Sequence, residues 1–363
     1  MNMQNSLGLF KGIFNGVKNK IFKPVLFLPI FIVAWFFVCP TEVHAQLTKL
    51  QYEGGWNTAA TIVTQTLTPD KSPYYIDFSS GMSNGSVLTI KPGVVIKFGP
   101  WYQDGWYKWP VILFLNGQIN ARGTAGNPIV FTSIYDDAYC GDSNSDGNAT
   151  APAAGNWGGF QISSEGNVFE HVIVKYGGGD TRGLVTFYNN TGNQITNSVF
   201  ENNLRGIDFS VAASSNPVII ENNVFFNNSG GIIAVHKSAN PVIRYNDIYG
   251  NGAGIVVSDS ATPLINYNNI YNNNGYGAEV NQYYSLTQPV NAQFNWWGDD
   301  SGPYHPILNP QGKGDRVSGN ILFDPWTGKQ KKRDPVIIVP GIMGSVLKED
   351  NFLIDNEIWP DPS

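Results

Sequence analysis

The chain has 363 residues, of which 42% are hydrophobic and only 14% charged, and its formal net charge is −6. That length allows about two domains. The acidic balance argues against a nucleic-acid partner, whose phosphates need a basic footprint.

The first 45 residues read as an export signal. Lys11, Lys18, Lys20 and Lys23 precede an apolar run from Pro24 to Val38, and Val43-His44-Ala45 follows with short side chains at the positions a signal peptidase inspects. The expected cut lies between Ala45 and Gln46. The run is shorter than the roughly 20 residues of a spanning helix, and Pro24 and Pro29 interrupt it. Contact with a membrane is therefore expected only during export, and the protein is expected to be secreted or held at the cell surface, as a monomer. Cleavage leaves 18 basic and 27 acidic side chains, a net charge of −9, with Cys140 as the single cysteine. No intramolecular disulfide is expected, so stability must come from packing and from metal.

Residues 46–84 are assigned to a cap over the first turn of the domain that follows, because open sheet edges need covering. Within them Gly81-Met-Ser83-Asn-Gly85 fits the letters of a nucleophile elbow. The elbow needs a helix after its serine, and Ser83 is followed instead by the β-type run Ser86 to Ile90, so no nucleophile is assigned.

Repeats decide the fold of residues 85–326. Gly-apolar-x-apolar segments begin at Gly159, Gly183, Gly206, Gly231, Gly254 and Gly277, spaced 24, 23, 25, 23 and 23 residues apart. Asn197, Asn222, Asn246 and Asn268 repeat beside them, as do Pro217, Pro241 and Pro263. Leucines and helical periodicity are scarce, and short β-branched and aromatic runs are punctuated by Gly, Asn and Pro. Each repeat thus reads as one turn of a coil of short strands that buries its inner side chains only by stacking. The spacing predicts inner columns Ile207/Ile232/Ile255 and Val199/Val224/Ile248/Ile270, with the four asparagines in a ladder whose amides both donate and accept.

The segments 86–98, 117–133 and 295–303 resemble the opening, second and closing parts of the bacterial secreted right-handed parallel β-helix family. That resemblance covers about residues 71–325 and implies an all-β solenoid. It says little of activity, since one fold hosts many. The last turn is expected to be covered by Trp296 and Trp297. The family's enzymes act on polysaccharides through groups on the outer faces of neighbouring turns.

The expected outer column beside the glycines is Gln161, Val185, Asp208, Ile233, Val256 and Glu279. Its two acids lie three turns apart, about 14 Å at the strand spacing, whereas a glycosidase pair needs roughly 5 to 9.5 Å. His171 and His236 lie outside any such pair. Arg244 with Asp247 fits a lyase by spacing, though nothing else singles them out. Phe200, Phe225, Tyr249 and Tyr271 form a second expected outer column. It either stacks on sugar faces or packs on itself. The excursion 134–156 carries Asp136, Asp137 and then Asp142-x-Asn144-x-Asp146-Gly147, the first half of an EF-hand-type calcium loop. The bidentate acid at its twelfth position is replaced by Ala153, so Asp136 or Asp137 would have to complete a calcium shell; a solvated acidic loop is the alternative.

After a basic linker at 327–333, Val336 to Val339 leads into Pro340-Gly341-Ile342-Met343-Gly344. This resembles the opening strand and oxyanion loop of α/β-hydrolases, especially the lecithin:cholesterol acyltransferase-like lipases. The resemblance implies that Ile342, with Met343, offers oxyanion N–H donors. Residues 334–363 would then be the truncated start of such a domain, without a nucleophile or base. Taken together, the reading is a secreted β-helix module that binds carbohydrate or a cell surface without catalysis, as the N-terminal part of a longer lipase-like protein. The alternative is a β-helix polysaccharide lyase or hydrolase.

Overall fold

The computed structural model describes residues 47–53, 61–104, 107–189, 191–281, 288–329, 348–351 and 354–357. They fall in a compact unit of residues 37–363, and a separate unit of residues 1–36 lies outside the described residues. The expected signal peptide, the basic linker beyond Lys329, the strand at Val336, Ile342 and Met343 also lie outside them.

Strands of two to five residues follow one another around a coil and build three sheets of nine, twelve and ten strands, parallel throughout except for one antiparallel pair, Tyr52–Glu53 with Thr61–Ile62. One turn shows the plan. Gln194–Thr196 lies in the ten-stranded sheet, Val199–Glu201 in the nine-stranded sheet and Ile207–Phe209 in the twelve-stranded sheet. Three-residue strands suit this path, since each points its middle or outer residues inward and then bends. The inner columns are Phe169–Ile195–Ile220–Ile243–Ile265, Val174–Phe200–Phe225–Ile248–Ile270 and Phe160–Val185–Ile207–Ile233–Ile255. All of these side chains are buried. Stacked turns thereby form one continuous apolar core that no single turn could bury. The only helical element among the described residues is a 3-10 turn at Pro69–Lys71.

Two expected inner columns are displaced by one residue. Phe200 and Phe225, not Val199 and Val224, continue into Ile248 and Ile270, and Ile233 rather than Ile232 stands between Ile207 and Ile255. The cause is at the bends. Each two-residue bend needs a left-handed residue first, and Asn197, Asn222, Tyr245 and Tyr267 take it with φ of 52°, 57°, 57° and 58°. Asparagine tolerates that conformation, so an asparagine at a bend can mark either position.

The ladder itself runs through the second position, as Ser198–Asn223–Asn246–Asn268–Asn295. Asn246 illustrates it. Its Oδ1 accepts from the main-chain N–H and the Nδ2 of Asn223, at 2.9 and 3.0 Å, and its Nδ2 donates to Asn268 Oδ1 at 2.9 Å and to the Ile220 carbonyl at 2.9 Å. A parallel ladder, Asn203–Asn228–Asn251–Asn273, ends on the Asp315 carboxylate. Every buried amide in these rows is therefore satisfied by the turn on either side.

The coil starts upstream of residue 85. Thr61–Ile62, Gln65–Leu67, Tyr74–Ile76 and Ser80–Met82 already pair in parallel with the turn that follows. At the other end Trp297 is fully buried, while Trp296 bridges Asn269 and lengthens the nine-stranded sheet. Further strands at Gly314–Val317 and Ile321–Leu322 stack beyond it. Lys348–Asn351 and Ile354–Glu357 form an antiparallel hairpin. Cys140 is disulfide-bonded in the full chain, whereas the expected single thiol refers to the chain after cleavage at Ala45.

Candidate functional site

The outer face of the twelve-stranded sheet carries the column Gln161–Thr186–Asp208–Ala234–Val256–Glu279. Thr186 and Ala234 stand where Val185 and Ile233 were expected, because those two apolar residues take the neighbouring inward positions. Beside this column lies a groove of about 450 Å³ that spans several turns and is lined by Arg182, Arg205, Asp208 and the glycines 206, 230 and 231. Glycine is needed along this edge: a Cβ at Gly206 would collide with the Ile232 carbonyl of the next turn.

The polar groups of the groove are held in order. Arg182 donates from Nη1 to Gln161 Oε1 at 2.8 Å, and Gln161 donates from Nε2 to Asp180 Oδ2 at 3.1 Å. Arg205 donates from Nη1 to the carbonyls of Gly178 and Asp180, at 3.1 and 2.9 Å. Each guanidinium has five donors, and these bonds fix both heads through one nitrogen.

On the other side His236 is not the isolated residue expected from sequence. Its Nε2 lies 3.2 Å from Asp208 Oδ2, and its Nδ1 lies 2.6 Å from Ser258 Oγ. The Asp208 hydrogen bond holds the imidazole pKa above its ordinary value, against the opposing effect of burial. Asp, His and Ser in a row suggest nucleophilic catalysis. Ser258, however, is 1% exposed, so no substrate can reach its hydroxyl, and the row acts as a brace across three turns. The signal that could have found it is the turn period itself, which puts residues 208, 236 and 258 on successive turns. Glu279, further along the column, has its carboxyl pKa raised by burial, and it stands three turns from Asp208.

The four aromatic residues assigned to carbohydrate binding divide. Phe200 and Phe225 are 1% and 0% exposed, and their rings stack 5.0 Å apart inside the core, so they face no ligand. The outward neighbours are Glu201 and Phe226, which align with Tyr249 and Tyr271. Phe226, Tyr249 and Tyr271 stack at 5.6 and 4.9 Å with interplanar angles of 12° and 14°, and the Lys329 ammonium lies over Tyr271 and Trp296. Stacked along the coil, the rings cover one another's faces and turn their edges outward. Burial and the neighbouring Asp247 carboxylate push the Tyr271 phenol up to about 12. On the ten-stranded sheet Arg244 pairs with Glu221 rather than with Asp247, which stands on the nine-stranded sheet and accepts from Asn269.

The excursion between Ser133 and Gly159 packs over the buried side chain of Lys97. The Lys97 ammonium donates to the carbonyls of Asp136 and Gly141 and to Ser143 Oγ, at 3.0, 2.9 and 2.6 Å. Burial lowers its pKa to about 8 despite the nearby acids. Asp136 is turned inward, taking the Thr132 hydroxyl and the Ala138 N–H on its carboxylate. Asp142 closes the loop by accepting from the N–H groups of Asp146 and Gly147.

No curated protein and no solved structure matches the chain. Residues 158–288, the turns that carry the groove, most of both ladders and the stacked rings of Phe226, Tyr249 and Tyr271, match the family model described as a right-handed β-helix region.

Proposed function

We propose that this coil is a polysaccharide-binding module and that the groove on the twelve-stranded sheet is its docking face. The observation that carries the reading is the groove itself, where Arg182 and Arg205 face Asp208 on a rigid surface with most of their donors uncommitted. Guanidinium forks and carboxylates suit the hydroxyl and acid groups of sugars. The match to a β-helix region is compatible with a polysaccharide-binding or polysaccharide-processing role. Binding without hydrolysis is supported by the wide separation of Asp208 and Glu279 and by the sealed Ser258. Export, and a hydrolase-like segment opening near Pro340-Gly341, belong to the same proposal and rest on the sequence patterns described above.

Electrophoresis of the chain through gels that carry a panel of soluble polysaccharides tests it. At least one polysaccharide should retard the parent, and Arg182→Ala, a change at an exposed position, should abolish the retardation without lowering the melting temperature. If Tyr249→Ala abolishes it instead, the aromatic strip is the docking face. If no polysaccharide retards the parent, the reading falls.

A further inference from the structure

We propose that a polar trough on the border of the twelve-stranded sheet opposite the Arg182 groove is a second binding site, and that it takes an uncharged sugar. The proposal rests on the polysaccharide reading only for the kind of ligand, and it does not require the groove to bind.

Unequal bends make the trough. Where the chain passes from the twelve-stranded to the ten-stranded sheet, residues 83–86 separate Met82 from Val87, and residues 163–167 separate Ile162 from Val168. On the turn between them only Asn116 and Gly117 intervene before Gln118. Two longer bends therefore stand about 10 Å apart, or two strand spacings, with a short bend sunk between them. The space is about 660 Å³. The short bend needs its glycine, since a Cβ at Gly117 would collide with Ser86 Oγ and the Ser83 carbonyl.

The walls are fastened to the floor. Ser164 donates from Oγ to the carbonyls of Leu115 and Gly117, at 3.1 and 2.7 Å. Gln118 donates from Nε2 to the carbonyls of Glu165 and Gly166, at 3.3 and 3.2 Å. Asn189, one turn further, donates from Nδ2 to the Ser163 carbonyl at 3.4 Å. Four lining side chains stay out of this net. Asn84, Asn116, Ser163 and Glu165 are exposed and make no side-chain hydrogen bond among the described residues. An aromatic ring stands at the far rim: Tyr188, 39% exposed, follows the strand Val185–Phe187, and its N–H donates to the Ile162 carbonyl at 2.7 Å, which sets it one turn beyond Ser163.

These groups fit a ring of hydroxyls. Amides and a serine hydroxyl both donate and accept, and a carboxylate accepts from two neighbouring hydroxyls. The negative face of the Tyr188 ring suits the C–H face of a sugar. Glu165 is the only ionisable side chain lining the trough, so a uronic or sulfated sugar would meet a carboxylate with no cation to offset it. The groove, with Arg182 and Arg205, offers the opposite charge.

Calorimetric titration of the full chain with cellohexaose, mannohexaose and xylohexaose, beside hexagalacturonate, tests the proposal. At least one neutral probe should bind at a single site. Glu165→Ala should weaken that binding about tenfold and Tyr188→Ala about fivefold, with the melting temperature unchanged because both side chains are exposed. No heat from any neutral probe overturns the proposal, as does binding that survives the double variant. Binding lost in Arg182→Ala would assign the sugar to the groove and overturn it too. So would hexagalacturonate binding that Tyr188→Ala weakens to the same degree, since the site would then not discriminate against charge. Gel retardation that depends on Arg182 can fail while this binding stands, and the reverse, so the two readings fall separately.

Discussion

The outer faces of the nine-stranded and twelve-stranded sheets are built on the same repeat and yet behave oppositely. On the first, Phe226, Tyr249 and Tyr271 stack on one another and leave few surfaces unused. On the second, Arg182, Arg205 and Asp208 border an open groove. A period of one turn brings like residues together on either face, so the chemistry of the residue decides the outcome. Flat rings placed about 4.8 Å apart consume each other's faces, while guanidiniums of unlike turns are held apart by their own partners and keep donors for a ligand.

Substitutions one residue apart sharpen that comparison most. Phe225 is wholly inside and Phe226 lies in the outer strip. Phe225→Ala should cost about 3–5 kcal/mol, because it opens a cavity between stacked turns. Phe226→Ala should cost about 1 kcal/mol, the worth of one exposed ring pair. Urea unfolding of the two variants decides it, and equal midpoints would mean that the two positions have been exchanged.

Next in size is Asn246→Ala. It strands the N–H and the amide of Asn223 on one side and removes a donor from Asn268 on the other. A loss of roughly 1–3 kcal/mol is expected for buried donors left unpaired. An unchanged urea midpoint would show that the ladder adds nothing.

The smallest effect concerns the groove. Pairing with Asp208 raises the His236 pKa above its unfolded value. The stability it contributes is therefore fully present below about pH 6.5 and is lost as pH rises through the raised value. His236→Gln should be less stable than the parent by about 1 kcal/mol or less at pH 6, with a smaller gap at pH 8. A gap that widens with pH would show that the neutral ring makes the important contact.

The coil was legible in the sequence because stacking forces a period, and glycine, asparagine and proline mark it at every bend. Its register was legible only to within one residue. Asn222-Asn223 offers two residues that each suit a bend, and only the left-handed angle at Asn222 and the bonds of Asn223 tell them apart. That one-residue uncertainty is why Phe200 and Phe225 were assigned to the surface, for a shift of one reverses the side on which a strand residue faces. The pairing of Asp208 with His236 escaped notice for a related reason. The two are 28 positions apart, longer than one repeat, because His236 projects from the end of Gly231–Val235 rather than from its column. Lys97 carried no sequence signal as an anchor, since its partners are two main-chain carbonyls and one serine hydroxyl of a loop about 40 residues away.

The amide row Asn203–Asn228–Asn251–Asn273 runs in one direction, each Nδ2 donating to the oxygen of the turn that follows. Such a row is a template, since any further turn with an asparagine in place would be added at its growing end, and coils of this kind can in principle lengthen or join end to end. Here the last place is held by Asp315, whose side chain receives the Asn273 amide and carries oxygens where an asparagine would carry the donating Nδ2. The aspartate thus acts as a chain terminator, fixing the number of turns in the row with a single change from nitrogen to oxygen.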